Sequence, residues 1–249
     1  MSGASASDRT QPRELHVAVT LRYRFLWWLN RTVIRLLFDL RVSGLEHLPR
    51  PPFQLVANHH NGVDPMLVTA AAPLAPRITW FGPKEADFSR GFKNRVMAFF
   101  GGVIPYNPDK TTLTSAVRAV RRVFDADGVL GIFAEGRIGF RETELLEFED
   151  GAAAFAVSSG VPVVPCAIVG STDLWFRKRI LVRFGAPIET TGVRGREART
   201  ELDARIRQGV SVLLPDREPR LPRRRPLALL TNLLNGAADI ERRRTAGRT

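Results

Sequence analysis

The sequence predicts an α/β fold: a mostly parallel, mixed sheet flanked by helices, with an N-terminal amphipathic helical segment and a C-terminal amphipathic helix. Three observations carry that expectation. Short apolar runs bounded by Pro and Gly recur at residues 53–57, 78–82, 102–106, 129–134, 161–169 and 180–184. Helix-period patterns fall between them at 65–72, 111–124 and 148–159, and such alternation is best satisfied by parallel strands covered by helices. Finally, 249 residues with 44% hydrophobic and 25% charged content suffice for one sizeable core and exclude general disorder.

In chain order, residues 1–13 are rich in Ser, Ala and Thr with mixed charge and read as a flexible tail. Residues 14–41 read as an amphipathic helix or helix pair, because Leu26, Leu29, Val33, Leu36, Leu37 and Leu40 fall on one helical face and Arg24, Arg31 and Arg35 on another. Residues 42–214 form the α/β domain, which a helix over 196–214 closes. Within it the run at 161–169 contains two prolines and is the least regular strand. A Pro- and Arg-rich linker follows, and then a second amphipathic helix over 227–240, set between Arg223-Arg224-Arg225 and Arg242-Arg243-Arg244. Residues 215–249 are thus a linker and a basic helix, and no internal repeat is visible.

Thirty-seven Lys and Arg against 25 Asp and Glu give a net charge of +12, which favours an anionic partner. The excess sits at the ends. Residues 22–41 carry five Arg against Asp39, and residues 215–249 carry nine Arg against four acids. Because this charge flanks apolar helices rather than forming a basic stripe with stacking aromatics, a membrane surface is expected and a nucleic-acid partner is not. Trp27 and Trp28 beside Arg22, Arg24 and Arg31 give the aromatic and basic mixture suited to lipid headgroups. The alternative is that Leu26, Leu29, Val33 and Leu36 pack on the sheet as core. No signal peptide or spanning segment is read, so the expected location is the cytoplasmic face of a membrane, peripheral or monotopic. A single cysteine, Cys166, permits no internal disulfide, and its apolar strand argues for an inert thiol.

Two polar clusters follow predicted strands, where α/β sheets place ligands. The first is Asn58-His59-His60-Asn61-Gly62-Val63-Asp64-Pro65. A turn through Gly62 can bring the Asp64 carboxylate to the His59 ring, holding one nitrogen and leaving the other to take a proton from an alcohol. Equally, Asp64 before Pro65 suits a helix N-cap with proline at the first helical position. The second cluster is Phe133-Ala134-Glu135-Gly136-Arg137, in which Arg137 can clamp a phosphate or pair with Glu135 in a turn.

These residues resemble the glycerolipid acyltransferases typified by lysophosphatidate (1-acyl-glycerol-3-phosphate) acyltransferase. Asn58-His59 through Asp64 matches that family's N-H-x-x-x-x-D block, and 133–137 is similar to its F-P-E-G-(T)-R block. Residues 161–168 resemble the V-P-(I/V)-(I/V)-P-V block, with 148–152 before it and 182–188 like the closing strand, so the likeness covers roughly residues 42–188. Two departures stand out. The second block, 102–108, ends without arginine, and no threonine separates Gly136 from Arg137.

The resemblance implies an O-acyltransferase moving a fatty acyl group from acyl-CoA or acyl carrier protein to a lysophospholipid hydroxyl, with no cofactor and no metal. His59 would be the general base and Asp64 its partner. Asn58, Glu135, Gly136, Arg137 and Lys84 would bind substrate, and Lys84, Lys110 or Arg141 would supply the charge missing from the second block. An alcohol nucleophile needs no acyl-serine, and the chain has no G-x-S-x-G elbow. Because the phosphate-binding blocks depart from the pattern, a lyso-aminolipid or glycolipid acceptor stays open beside the lysophospholipid; the lesser alternative, in another class, is a basic nucleic-acid- or lipid-binding protein without catalysis.

Overall fold

The computed structural model describes residues 19–83, 102–106, 113–149 and 151–233. Helix α1 (Leu21–Leu37) starts at Thr20, whose hydroxyl accepts the Tyr23 N–H at 3.1 Å. Strand β1 (Asp39–Ser43) and a short 3₁₀ turn lead to β2 (Phe53–Ala57), α2 (Asp64–Ala71), β3 (Ile78–Pro83) and β4 (Val103–Tyr106). Then come α3 (Leu113–Asp125), β5 (Val129–Phe133), α4 (Gly151–Ser159), β6 (Val163–Val169), β7 (Arg179–Phe184), α5 (Gly195–Ser211) and α6 (Leu230–Leu233).

Among the described residues seven strands make one sheet in the order β1-β7-β6-β2-β5-β3-β4. β2 pairs in parallel with both β5 and β6, and β3 with β5 and β4. β7 is antiparallel to β6, and β1 follows β7 in parallel, so β1 and β7, the two strands at one side of the sheet, reverse the direction of the other five. The sheet is therefore mixed and mostly parallel, as the alternation of elements predicts.

Both faces are covered, which is why β2, β5 and β6 are buried at nearly every position rather than at alternate ones, and why the polar Gln54 of β2 spends its amide on the Ala152 carbonyl. On one face Phe53, Leu55 and Ala57 of β2 and Val164, Cys166 and Ile168 of β6 pack against Ile34 of α1 and Leu67, Val68 and Ala71 of α2. On the other, Val56, Leu130 and Val163 meet Val120 and Val123 of α3, Ala152 and Phe155 of α4, and Leu202, Ile206 and Val210 of α5. Each fully buried Leu or Ile contributes about 1.5–3 kcal/mol. Pro165 is tolerated inside β6 because its carbonyl still accepts, from Gly185 N–H at 2.8 Å, and because Gly209 of α5 lets its ring approach. Cys166 is fully buried, and burial pushes its thiol far above the ordinary range.

Two expectations need correction. The N-terminal helix does not extend through Leu40. Phe38 turns extended while its N–H closes the last helical turn on Ile34, and β1 then pairs with β7 as an edge strand, so the α/β unit begins at Asp39 rather than at residue 42. Nor do the leucines of α1 share one face. Tyr23, Leu26, Asn30 and Ile34 are buried, whereas Leu21, Phe25, Trp28, Leu29, Val33 and Leu36 are exposed. At the other end, the segment around Thr231 docks on the β6–β7 connection, where Thr231 Oγ1 accepts Leu174 N–H at 2.7 Å. The remainder of the expected C-terminal helix and the 1–13 tail lie outside the described residues.

Candidate active site

The neighbouring parallel strands β2 and β5 end level at Ala57 and Phe133, and β6, on the other side of β2, continues past them to Val169. The three loops leaving them are held together by polar side chains. After β2 the chain turns through residues 58–63, and Asp64 is the first residue of α2. Asp64 does not cap that helix. Its Oδ2 faces back into the loop, accepting His59 Nδ1–H at 2.9 Å, His60 N–H at 2.6 Å and Asn61 N–H at 2.8 Å. The choice between a capping Asp and a His-Asp pair is thus decided for the pair.

A carboxylate can only accept, so the proton of the His59 contact belongs to Nδ1 and Nε2 keeps its lone pair. Asp64 is fully buried while the His59 side chain is 19% exposed, placing the basic nitrogen where the loops meet solvent. The ring is flattened against Phe133, with centroids 4.2 Å apart, and Phe133 stacks on Trp80 at 4.8 Å. Backbone contacts hold the same residue: its N–H donates to Glu135 Oε1 at 3.2 Å, and its carbonyl accepts Gly139 N–H at 2.7 Å. Such an arrangement can remove a proton from a hydroxyl and return it to a leaving group.

Beneath the pair lies a second histidine. His60 is fully buried, with Nδ1 3.5 Å from Glu142 Oε2. Asn58 Nδ2 lies 3.2 and 3.4 Å from the two ring nitrogens, which puts it over the ring face, since an in-plane approach would collide with the carbon between them. Glu142 is anchored in turn by the loop after β6, accepting Gly170 N–H at 2.8 Å and the Thr172 hydroxyl at 2.5 Å. Burial disfavours both charges, but Glu142 raises the His60 pKa above its usual 6.5, and His60 with Thr172 and Gly170 draws Glu142 down to about 2. The stability linked to His60 is complete below pH 6.5 and is lost as pH rises through its elevated pKa. That linked to Glu142 is complete above 4.5 and lost as pH falls through about 2. The pair therefore predicts unfolding free energy that is greatest between about pH 4.5 and 6.5. Urea midpoints across pH check this, with Glu142→Gln expected to flatten the alkaline fall.

The expected substrate-binding residues divide. Asn58 is fully buried, with its amide engaged by Ile168, donating to the carbonyl at 2.9 Å and accepting the N–H at 2.7 Å. It ties β2 to β6 instead of facing a ligand. Glu135 is buried as well, between His59 N–H and Leu146 N–H, and burial raises its carboxyl above the usual value despite the pull of His60. Gly136 and Arg137 are exposed on the turn beside it. Gly136 has φ +62°, and a Cβ there would lie 3.0 Å from the Glu149 side chain, so glycine is required. Arg141 pairs with Glu144 at 2.7 Å. Lys84 and Lys110 lie outside the described residues. The sequence reading missed Glu142, which lies in an irregular loop with no motif to mark it.

A shallow apolar groove lies along the same face of the sheet between α1 (Tyr23, Asn30), α2 (Met66, Thr69) and the strands carrying Trp80 and Val103. Since Trp80 continues through Phe133 to His59, the groove and the His-Asp pair share an aromatic wall.

The fold and the site together define a class: an α/β protein whose His-x-x-x-x-Asp pair stands at the carboxyl ends of central strands, beside a glycine-arginine turn. A family model described as Acyltransferase matches residues 39–169, about half of the chain and all of the strands that carry the site. The chain belongs to the acyltransferase family. It is similar to the 1-acyl-sn-glycerol-3-phosphate acyltransferase of Saccharomyces cerevisiae, 25% identical over 187 residues that are 70% of this chain and 59% of the yeast protein. The chain thus spans rather more than half the length of that relative. Its fold is shared by the crystal structure of the 1-acyl-sn-glycerophosphate acyltransferase of Thermotoga maritima, with a TM-score of 0.61 at 19% identity, covering 77% of this chain and 79% of that one.

Proposed function

We propose that the chain transfers a fatty acyl group from a thioester, acyl-CoA or acyl carrier protein, to a hydroxyl of a lysophospholipid such as 1-acyl-glycerol-3-phosphate. The observation that carries this reading is the 2.9 Å contact from His59 Nδ1 to the buried Asp64 carboxylate. His59 Nε2 takes the proton as the acceptor oxygen attacks the thioester carbonyl. The carbon–sulfur bond breaks, the ester remains, and the proton passes to the departing thiolate. Asp64 holds the tautomer and stabilises the imidazolium that forms. The groove beside Trp80 suits an apolar tail, and Arg137 with Gly136 suits the acceptor's anionic head.

The test is transfer by purified protein from labelled acyl-CoA to a panel of lysolipids, with lysophosphatidate expected to give the highest kcat/KM. A preference for a lyso-aminolipid or glycolipid would move the acceptor assignment while keeping the chemistry. Arg137→Ala is expected to raise KM for lysophosphatidate about 10-fold with kcat little changed, since it removes binding to a head group remote from the reacting atoms. An unaltered KM would remove Arg137 from this role.

The reading includes a lipid surface as partner. Leu21, Phe25, Trp28 and Leu36 of α1 are more than half exposed, and Arg22, Arg24 and Arg35 are exposed on the same helix. No helix among the described residues is long and apolar enough to cross a membrane, so contact through this helix is interfacial. Full-length protein is expected to float with anionic vesicles at low salt, and Phe25→Ser/Trp28→Ser to release it. Flotation unaffected by that double change would place the contact elsewhere.

A further inference from the structure

We propose that the buried His60–Glu142 pair is a positioning device for the His59–Asp64 pair: it ties the backbone that carries His59 to the loops after β5 and β6, so that the basic nitrogen is presented in one place. The proposal rests on the acyl-transfer reading above, but its geometry does not depend on which acceptor is used.

The connections form a continuous path. Glu142, in the loop after β5, is held by Gly170 and Thr172 from the loop after β6. It faces His60, which Asn58 covers from the end of β2. The His60 backbone N–H donates to the same Asp64 oxygen that holds the His59 ring. A shift of the His60 side chain therefore moves a donor of Asp64 and the backbone adjoining His59 together. The charged groups facing His60 are Asp64 at the start of α2 and Glu135 and Glu142 from the loop after β5, so one fully buried imidazole stands among three carboxyl groups. Taking it away leaves like charges crowded under the site, and the loop has every reason to relax.

A purely structural pair would change stability alone. A positioning pair changes turnover more than substrate binding, because the reacting distance matters in the transition state while the head-group and tail contacts lie elsewhere. Its effect also depends on charge balance: removing both charges relieves part of what removing one creates.

The experiment uses the full chain, lysophosphatidate and an acyl-CoA as probes, and wild type, Glu142→Gln, His60→Asn and the double variant. Far-UV circular dichroism and melting curves establish that each is folded. Glu142→Gln is expected to lower kcat about 10-fold or more while KM for both substrates stays within about twofold. The double variant should recover about threefold or more of that loss. Independently of activity, nitrogen-15 imidazole spectra should show the His59 Nδ1 proton hydrogen-bonded in wild type and broadened or lost in Glu142→Gln. A folded Glu142→Gln variant with wild-type kcat and an unchanged His59 signal overturns the proposal. So does a loss of kcat accompanied by an unchanged His59 signal. If Glu142→Gln does not fold, His60→Asn is judged by the same two readouts. If wild type transfers no acyl group from the probes while the His59 signal still depends on Glu142, the acyl-transfer reading fails and the positioning role stands.

Discussion

Replacing His59 by alanine is expected to lower kcat by at least about 10²-fold, the usual loss when a positioned base is removed. Among the described residues the neighbouring titratable groups cannot substitute. His60, the adjacent imidazole, is fully buried and faces Glu142, and Glu135 is buried between two backbone N–H groups. Stability should change little, because the His59 ring is partly exposed and Asp64 retains the His60 and Asn61 N–H donors. KM for the acyl donor should therefore stay near its wild-type value while kcat falls. Wild-type turnover in a folded His59→Ala protein would end the assignment of His59 as base.

Gly131→Val is expected to destabilise the protein by about 1–3 kcal/mol, the range for overfilling a packed core, and to reduce kcat with it. Gly131 of β5 pairs with Trp80 of β3, and the indole lies across the space where a side chain would be. A Cβ at residue 131 would come within 2.6 Å of Trp80 and 2.9 Å of Ile78. The indole must therefore move, yet it supports Phe133, and Phe133 supports the His59 ring. Urea unfolding reads the stability change, and tryptophan fluorescence of the native state reads the displacement. If stability falls while kcat per folded molecule is unchanged, the aromatic stack does not orient His59.

The strands were legible because a fully buried parallel sheet demands runs of apolar residues and its connections demand Pro and Gly at the ends. Five of the six predicted runs both begin and end within one residue of an observed strand's boundaries, and the sixth, 161–169, starts two residues early. β1 was not legible. Leu40 and Val42 continue the apolar rhythm of α1, and only pairing with Arg179 through Arg183 of β7 makes that stretch a strand. The two faces of α1 were mixed for a similar reason: a helix whose apolar residues spread over more than one face does not announce which of them meet the sheet, and α2 decided it by taking Asn30 and Arg31 onto its Met66 and Ala70 carbonyls.

At the site, the local spacing from His59 to Asp64 and the glycine-arginine turn were readable, because each lies within one loop and its chemistry depends on near neighbours. The family resemblance followed from the same blocks, and the class of sheet from the alternation of apolar runs with helix-period patterns. What only the tertiary structure decided is which polar groups are spent on holding the site. Asn58 and Glu135 carry motif positions yet are buried against Ile168, His59 and Leu146, and His60 acquires its partner from a loop 82 residues onward. Burial and charge pairing across strand ends are properties of loops brought together by the β6-β2-β5 order, and no pattern along one chain segment encodes the distance between them.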